Sequence, residues 1–538
     1  MKHFDTLGVM LDCSRNAVPT LEELYSFIDR LAMMGYNALQ LYTEDVYEIE
    51  GEPYFGYRRG RYTKAELKAV DAYCRERGVE LQPCIQTLAH IESIFRWPGY
   101  SAIQDMKDVL LCDDERTYAL IDKMFATAAE CFTSRRIHIG MDEAHALGRG
   151  QYLDKHGAVP HWDILVRHLY RVCEIAAKYG FRPMMWSDMF FRTVNGGDYY
   201  KPIAVTDEMR ATVPENLDLV YWDYYSDNKE RLEGMIASHQ AFHESNRTVY
   251  AGPAVATTGF FPHNGISMRV TRAALEACIA RGVREAYVTI WKDDGGECPH
   301  LSLLPTLHYA AALANGKTDE DEIRADFFST FGEDRERLMA FDLPDTIDET
   351  PLTFEQYAKA AFYNDPFYGL FDPCMKDGMD AYYAELAERF SAYAAEGGEF
   401  AALYDMAAKN CAVLALKAES GLRARRAYQS GDREAIAAVA ADLTVAADRV
   451  MTFYEAYRDY WYKIFKPYGF EIQQYRLVGL AERLRDCAGR INGYLGGTLP
   501  AIEELEGELL PHLSRHRVYP PMYLCWRIFN TPSVITRF

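Results

Sequence analysis

Two adjacent carboxylates, Asp142 and Glu143, close the run Arg136-Ile-His-Ile-Gly-Met-Asp-Glu-Ala-His145, directly after a short apolar stretch. Acids placed there are either a working site or the cap of the next helix. The tetrad Asp142-Glu143-Ala-His145 matches the label of a nucleotide-coordinating box, which requires a phosphate loop of the form G-x-x-x-x-G-K-[ST]. The nearest candidate, Ala311-Ala-Leu-Ala-Asn-Gly316-Lys317-Thr318, has Ala in place of the first Gly, and Gly316 reads as the C-cap of a helix, so this chemistry is set aside. A metal centre uses the same side-chain types. No H-E-x-x-H pair or regularly spaced carboxylate set accompanies them, and neither a metal nor another cofactor is expected. Glycoside hydrolysis remains, with one carboxylic acid protonating the leaving oxygen and a second group stabilising the oxocarbenium-like centre. Consecutive residues of an extended chain point to opposite sides, so the two acids are poorly placed as an ordinary acid and nucleophile. They suit a division in which Glu143 donates the proton. Asp142 then holds a neighbouring substrate group, such as a 2-acetamido nitrogen, whose carbonyl oxygen attacks the anomeric carbon.

The elements that must position these acids alternate along the first 318 residues. Strands read at 7–12, 36–42, 79–85, 137–139, 183–186, 217–222, 249–251 and 286–291, separated by stretches of helical periodicity that include 20–34, a Thr63-capped helix to Gly78, 114–132, 161–179, 229–245, 267–281 and 302–314. Eight such repeats predict an α/β fold, a (β/α)8 TIM barrel over 1–318 with its site at the strand C-termini. An open doubly wound sheet is disfavoured by the lack of a glycine-rich turn after the first strand. From 319 to 538 the strands stop. Helical stretches at 353–364, 376–396, 398–428, 432–463, 472–493 and 500–509 predict a mainly α-helical C-terminal domain with a structural or oligomerising role.

The balance of 58 Lys+Arg against 79 Asp+Glu, a formal net charge of −21, disfavours nucleic acid and anionic membrane surfaces as partners. Thirty-eight Tyr against 27 Phe supply amphipathic rings of the kind that wall sugar sites. Twelve cysteines without a C-x-x-C pair read as reduced thiols. With no apolar leader after Met1 and no long apolar run, the expected location is cytoplasmic.

Six segments in order carry a resemblance: Asp12-Cys-Ser-Arg15-Asn, Gln86-Thr-Leu-Ala-His90, Ile-Gly-Met-Asp142-Glu143-Ala-His, Met-Met-Trp186-Ser-Asp188-Met-Phe-Phe, Tyr221-Trp222-Asp223-Tyr-Tyr and Trp291-Lys-Asp293-Asp-Gly-Gly-Glu297. Together they resemble glycoside hydrolase family 20, the β-N-acetylhexosaminidases, from residue 7 to about 315. The resemblance implies an exo-acting enzyme that removes terminal N-acetylglucosamine or N-acetylgalactosamine from a small-molecule or oligosaccharide substrate, with retention and substrate assistance. It implies that Arg15 clamps sugar hydroxyls and that His90 supports the acid end, buttressed by Glu44 or Asp45. Trp186 would wall the acetamido pocket, Tyr221 would hydrogen-bond the acetamido oxygen beside Asp223, Trp291 would lie under the sugar ring, and Asp293 would take outer hydroxyls. The aromatic density at the strand ends predicts an apolar pocket around Glu143, as an acid working near neutral pH requires.

Two departures from the family stand out. The family usually places a Trp after the seventh strand, whereas Ala251-Gly-Pro-Ala-Val255-Ala-Thr257-Thr-Gly-Phe has none, leaving that wall to Phe260 or Phe261 or open. The small α/β domain that usually precedes the barrel is also missing, since the first strand begins within ten residues of Met1. An open wall would suit a related barrel glycosidase acting on a different β-hexoside. The third alternative is a sugar-binding protein that has lost catalysis.

Overall fold

Eight parallel strands, β1 (Thr6–Asp12), β2 (Ala38–Tyr42), β3 (Glu80–Cys84), β4 (Arg136–His138), β5 (Arg182–Trp186), β6 (Asp218–Trp222), β7 (Thr248–Pro253) and β8 (Glu285–Ile290), close into a barrel in which each pairs with its neighbours in sequence and β1 returns to β8. The computed structural model describes residues 3–242, 247–253, 259–347, 355–510, 520 and 525–533. The described residues divide into two units. The first comprises those of Met1–Val255, Ser267–Trp291 and Thr306–Gly332, and the second those of Ala256–Ile266, Lys292–Pro305 and Glu333–Phe538.

Strands buried on both faces read as continuous apolar runs rather than alternating ones, and β2 is buried at every position. Seven longer helices follow the strands: α1 (Leu21–Met34), α2 (Lys64–Glu76), α3 (Glu115–Cys131), α4 (His161–Lys178), α5 (Lys229–Gln240), α6 (Asn264–Ala280) and α7 (Leu304–Ala314). Between β5 and β6 stand two short helices, Asp188–Val194 and Asp207–Thr212. Local chemistry fixes the helix ends. Thr20 accepts the Glu23 amide to start α1, and Gly35 ends it in the left-handed conformation. At α2 the side chains of Thr63 and Glu66 each cap the other's backbone amide, a complete capping box.

The barrel interior is filled, and its filling dictates a small residue on β1. Tyr287 of β8 reaches across to donate to Gln82 Oε1 at 2.7 Å, and Gln40 Nε2 donates to the same oxygen at 3.0 Å. A Cβ at Gly8 would collide with the Tyr287 ring. At the N-terminal rim, Arg136 bridges Glu285 at 2.7 Å and Asp218 at 3.0 Å, tying β4 to β8 and β6. Arg182 and Arg247 pair with the same two acids. This end of the barrel is built for closure, and the opposite end is free for chemistry.

The second unit is helical, with helices Tyr357–Tyr363, Met379–Ala395, Ala401–Lys417, Ser420–Ser430, Arg433–Ile464 and Phe470–Leu495. The sequence predicts one helix over 398–428, but two are present. Glu419 breaks it, because its carboxylate accepts the amides of Gly378 and Asp380 while its own amide donates to Asp380. The helix expected at 500–509 is only a 3-10 turn, Glu503–Leu505. The segment after β8 belongs to this unit and is held by a buried quartet. Lys359 Nζ lies 2.6 Å from Asp294 and 3.2 Å from Glu297, and Arg476 lies 2.8 Å from each. Phe260 packs on Phe453 and Tyr457 at centroid distances of 5.1 and 5.6 Å. Among the described residues, no helix is long and apolar enough to cross a membrane.

Replacing Gly8 with Ala should push Tyr287 off Gln82 and destabilise the barrel by about 1–3 kcal/mol. Urea denaturation followed by tryptophan fluorescence measures this as a lowered midpoint. An unchanged midpoint would mean that Tyr287 does not need the space.

Candidate active site

The seam between β3 and β4 is the shortest ladder of the barrel, with one register pair, Cys84 and His138. Beyond it the two chains stay joined by Ile85 N donating to His138 O and Thr87 N to Ile139 O. The β4 chain then turns sharply, with positive φ at Gly140 (71°), Met141 (74°) and Glu143 (49°). Gly140 has no substitute there, because a Cβ would run into the Gln86 side chain. Gln86 fixes the turn from both ends of its amide: Oε1 accepts Met141 N at 3.2 Å, and Nε2 donates to Asp142 Oδ1 at 2.8 Å and to Tyr42 Oη at 2.9 Å.

This turn gives the two acids different surroundings. Asp142 is clamped between Gln86 and His90, whose Nε2 stands 3.2 Å from Asp142 Oδ2 and 3.7 Å from Glu143 Oε2. Burial alone would raise the Asp142 carboxyl, but His90 and Gln86 outweigh it and hold it down at about 2. Burial would likewise strip the proton from His90, yet the Asp142 carboxylate raises it to about 10. Across neutral pH the two form an ion pair.

Glu143 is the freer acid, its side chain 40% exposed. The apolar pocket expected around it is not what the structure holds. Its carboxylate lies between His90 and Arg192, whose Nη2 is 3.5 Å from Oε1. Behind it sits Asp188, fully buried, which accepts the Glu143 amide at 3.0 Å and the Arg192 Nε at 3.2 Å. Burial, and then the nearby Asp142 charge, raise the Asp188 carboxyl to about 7.

The other predicted residues stand around this pair. Arg15 follows β1, where Asp12 caps the Ser14 amide and pairs with Arg15 at 3.1 Å. The Arg15 guanidinium also meets Glu44 at 3.4 Å and lies over the rings of Tyr42 and Trp291, at 5.0 and 5.3 Å from their centroids. Trp186 is buried with its ring 4.4 Å from His138 and 6.1 Å from Trp291. The indole nitrogens of both Trp186 and Trp291 are buried without a hydrogen-bond partner. Tyr221 donates to Asp223 Oδ2 at 3.0 Å, and both face the same side of β6, as their two-residue spacing requires. Arg231 holds the same oxygen at 2.5 Å, and the Tyr225 and Ser226 amides hold the other.

One expectation comes out differently. Neither Glu44 nor Asp45 hydrogen-bonds His90: Glu44 turns to Arg15 and accepts Tyr42 Oη at 3.1 Å, while Asp45 pairs with Arg59 at 2.9 Å. Glu44 acts on His90 only through its charge. Asp293 follows Trp291 by two residues but belongs to the second unit, half-buried at the head of a 3-10 turn (Asp293–Gly295). Phe260 and Phe261, the candidates for the missing wall, are also in the second unit, and Val255 and Thr257 lie outside the described residues. Sequence reasoning passed over Gln86, Tyr42, Asp188 and Arg192. The first and third stand inside the quoted motifs, so their position was visible. Arg192 had no signal beyond its i, i+4 spacing from Asp188.

In a group whose proton affinity is raised by folding, the stability it contributes is present below the unfolded value and lost as pH rises through the folded one. The His90 contribution should therefore be nearly whole at neutral pH, decline as pH rises above about 6.5 and be spent by about 10. Asp142, with its affinity lowered, should lose its contribution as pH falls through about 2. NMR of imidazole-labelled protein should find His90 protonated well above neutrality. In Asp142→Asn, burial is opposed only by the weaker Glu44 charge, and the proton should leave at a lower pH than in the wild type. An unshifted His90 titration in that variant would show that Asp142 does not hold it.

Residues 4–250 match the family description "Glycosyl hydrolase family 20, catalytic domain", and residues 336–522 match "Glycoside Hydrolase 20C C-terminal domain". Human Hexosaminidase D is 22% identical over 228 residues, covering 40% of this chain and 44% of its own length. A beta-hexosaminidase of Vibrio furnissii is 29% identical over 177 residues, covering 26% of this chain and 29% of its own. The chain thus spans less than half of either relative. Among solved structures, the β-N-acetylhexosaminidase from Bacteroides fragilis is similar with a TM-score of 0.47 and 17% identity, covering 61% of this chain and 69% of that one. Flavobacterium johnsoniae chitobiase has a TM-score of 0.46 and 16% identity, covering 94% and 74%.

Proposed function

The chain belongs to glycoside hydrolase family 20, and we propose that it is an exo-acting β-N-acetylhexosaminidase that releases terminal N-acetylglucosamine or N-acetylgalactosamine with retention and substrate assistance. The observation that carries this reading is the unequal state of the two acids. Asp142 is ionised, half-buried and clamped by His90 and Gln86, so it is an acceptor aimed at a substrate N–H rather than a mobile nucleophile. Glu143 is exposed enough to meet a leaving group.

In the first step, protonated Glu143 gives its proton to the glycosidic oxygen as the acetamido carbonyl oxygen attacks the anomeric carbon and the bond to the aglycone breaks. Asp142 accepts the acetamido N–H and stabilises the positive charge that builds on the resulting oxazolinium. In the second, Glu143 as carboxylate takes a proton from water, whose oxygen adds at the anomeric carbon and reopens the ring. Two displacements at one carbon give net retention. Trp291, half-buried, supplies an apolar face, with Trp186 buried behind it. Arg15 would bind hydroxyls through the edge of its guanidinium.

The absence of a Trp after β7 favours a second reading, a glycosidase of this barrel that takes a β-hexoside without the acetamide. For location, twelve free cysteines, eleven of them buried, support a cytoplasmic protein.

A thiazoline mimic of the bicyclic intermediate separates the readings. It should inhibit competitively, and binding should drop by at least tenfold in Asp142→Asn, since about 1.4 kcal/mol of charge-assisted hydrogen bonding is lost. Glu143→Gln should lower kcat on a poor leaving group by roughly 10²–10⁴ while the mimic still binds. Turnover of a plain β-glucoside or β-galactoside, with none of aryl N-acetyl-β-hexosaminides, would overturn the proposal in favour of the second reading.

A further inference from the structure

Two loops at the C-terminal rim of the barrel, after β2 and β3, bring Tyr54, Tyr57 and Trp97 together. Their ring centroids are 5.3 Å apart for Tyr54 and Trp97, 5.5 Å for Tyr57 and Trp97, and 5.9 Å for the two tyrosines. The cluster faces water: Tyr54 is 51% and Tyr57 40% exposed. Grouped exposed rings mark binding surfaces more often than isolated ones do.

The loops carrying them are held in place. Phe55, between the two tyrosines in sequence, is fully buried and packs on Tyr47 at 5.2 Å. Arg61 donates to the carbonyls of Pro53 and Phe55. Tyr100 Oη donates to Glu52 at 2.8 Å and so ties the two loops to each other. An inward Phe55 with its neighbours turned outward is a platform held open, which lowers the ordering cost of any ligand that lies on it.

The platform also joins the catalytic site from two directions. Gly56, next to Tyr57, lies against the carbonyl of Asp45, leaving no room for a Cβ, and Asp45 adjoins Glu44, the partner of Arg15. On the other loop, Trp97 is seven residues from His90, and a helical turn (Glu92–Phe95) shortens the path, so their Cα atoms are at most about 20 Å apart. His90 touches Glu143, the group that meets the leaving oxygen. A short oligosaccharide extending past Glu143 has that distance to cover.

We propose that Tyr54, Tyr57 and Trp97 form a stacking subsite for pyranose rings of the aglycone, on the leaving-group side of the cleaved bond. The proposal rests on the hexosaminidase reading, because an exo-acting pocket leaves only the aglycone outside it. The rings offer apolar faces to the carbon face of a sugar, and the tyrosine hydroxyls can meet its edge. The subsite raises the efficiency of longer substrates through the aglycone alone.

The test compares triacetylchitotriose with methyl N-acetyl-β-glucosaminide, whose aglycone is too small to reach the platform, in wild type, in the double variant Tyr54→Ala/Tyr57→Ala and in Trp97→Ala. Both substrates are read on one preparation, so any loss of folded enzyme cancels in the ratio of kcat/KM values. Wild type should favour the trisaccharide, and each variant should lower that ratio by roughly three- to tenfold. A ratio that is the same in all three proteins overturns the subsite. So does an unchanged ratio with an altered sedimentation coefficient, which would assign the rings to contact between copies of the chain. Turnover of neither substrate by wild type would instead sink the hexosaminidase reading itself.

Discussion

A protonated imidazole at His90, kept charged by a carboxylate 3.2 Å away and in turn keeping that carboxylate ionised, is the interaction around which the rim of the first unit is arranged. Neither charge would survive burial alone. Together they leave a carboxylate with a fixed orientation at the mouth of the barrel. Gln86 completes the arrangement. Its amide satisfies one Asp142 oxygen and the Met141 amide, so the acid cannot swing away when a ligand arrives.

That precision is obtained from unusual backbone. Among the described residues, nine that are not glycine have positive φ, and Glu44, His90, Met141 and Glu143 are four of them. A left-handed conformation costs such residues about 1 kcal/mol or more each, so its concentration at one end of the barrel needs support from elsewhere. The opposite rim provides it. Arg136, Arg182 and Arg247 lock strands β4 to β8 through Asp218 and Glu285, and the packed interior of Tyr287, Gln82 and Gln40 leaves the strands no freedom to relax the turn.

The strands were legible because each is a short apolar run buried on both faces, and the residues at their polar ends were legible because eight repeats place such ends on one rim. Asp142, Glu143, His90, Arg15, Trp186, Tyr221, Asp223 and Trp291 all belong to the first unit for that reason. Pairings within the rim were not legible. Spacing could not show that Glu44 turns to Arg15 while His90 turns to Asp142, since the choice depends on distances set by the loops. Nor could it show Arg192 beside Glu143, which follows from a two-turn helix after β5 that brings residue 192 over residue 188. The pocket around Glu143 was misjudged because aromatic content says how many rings are present and nothing of which face they cover. In the helical half, periodicity continued across Glu419, where Glu419 and Asp380 each accept the other's backbone amide on a side-chain carboxylate between one helix and the next.

The order in which the chain leaves the ribosome gives the buried quartet another meaning. Asp294 and Glu297 are made directly after β8, yet their cationic partners come later, Lys359 by 65 residues from Asp294 and Arg476 by 182. Until then the two acids lack the cations that neutralise them in the folded chain. In chain order the last long helix, Phe470–Leu495, delivers the final charge. Synthesis of the last long helix thus becomes the step that completes the turn following β8.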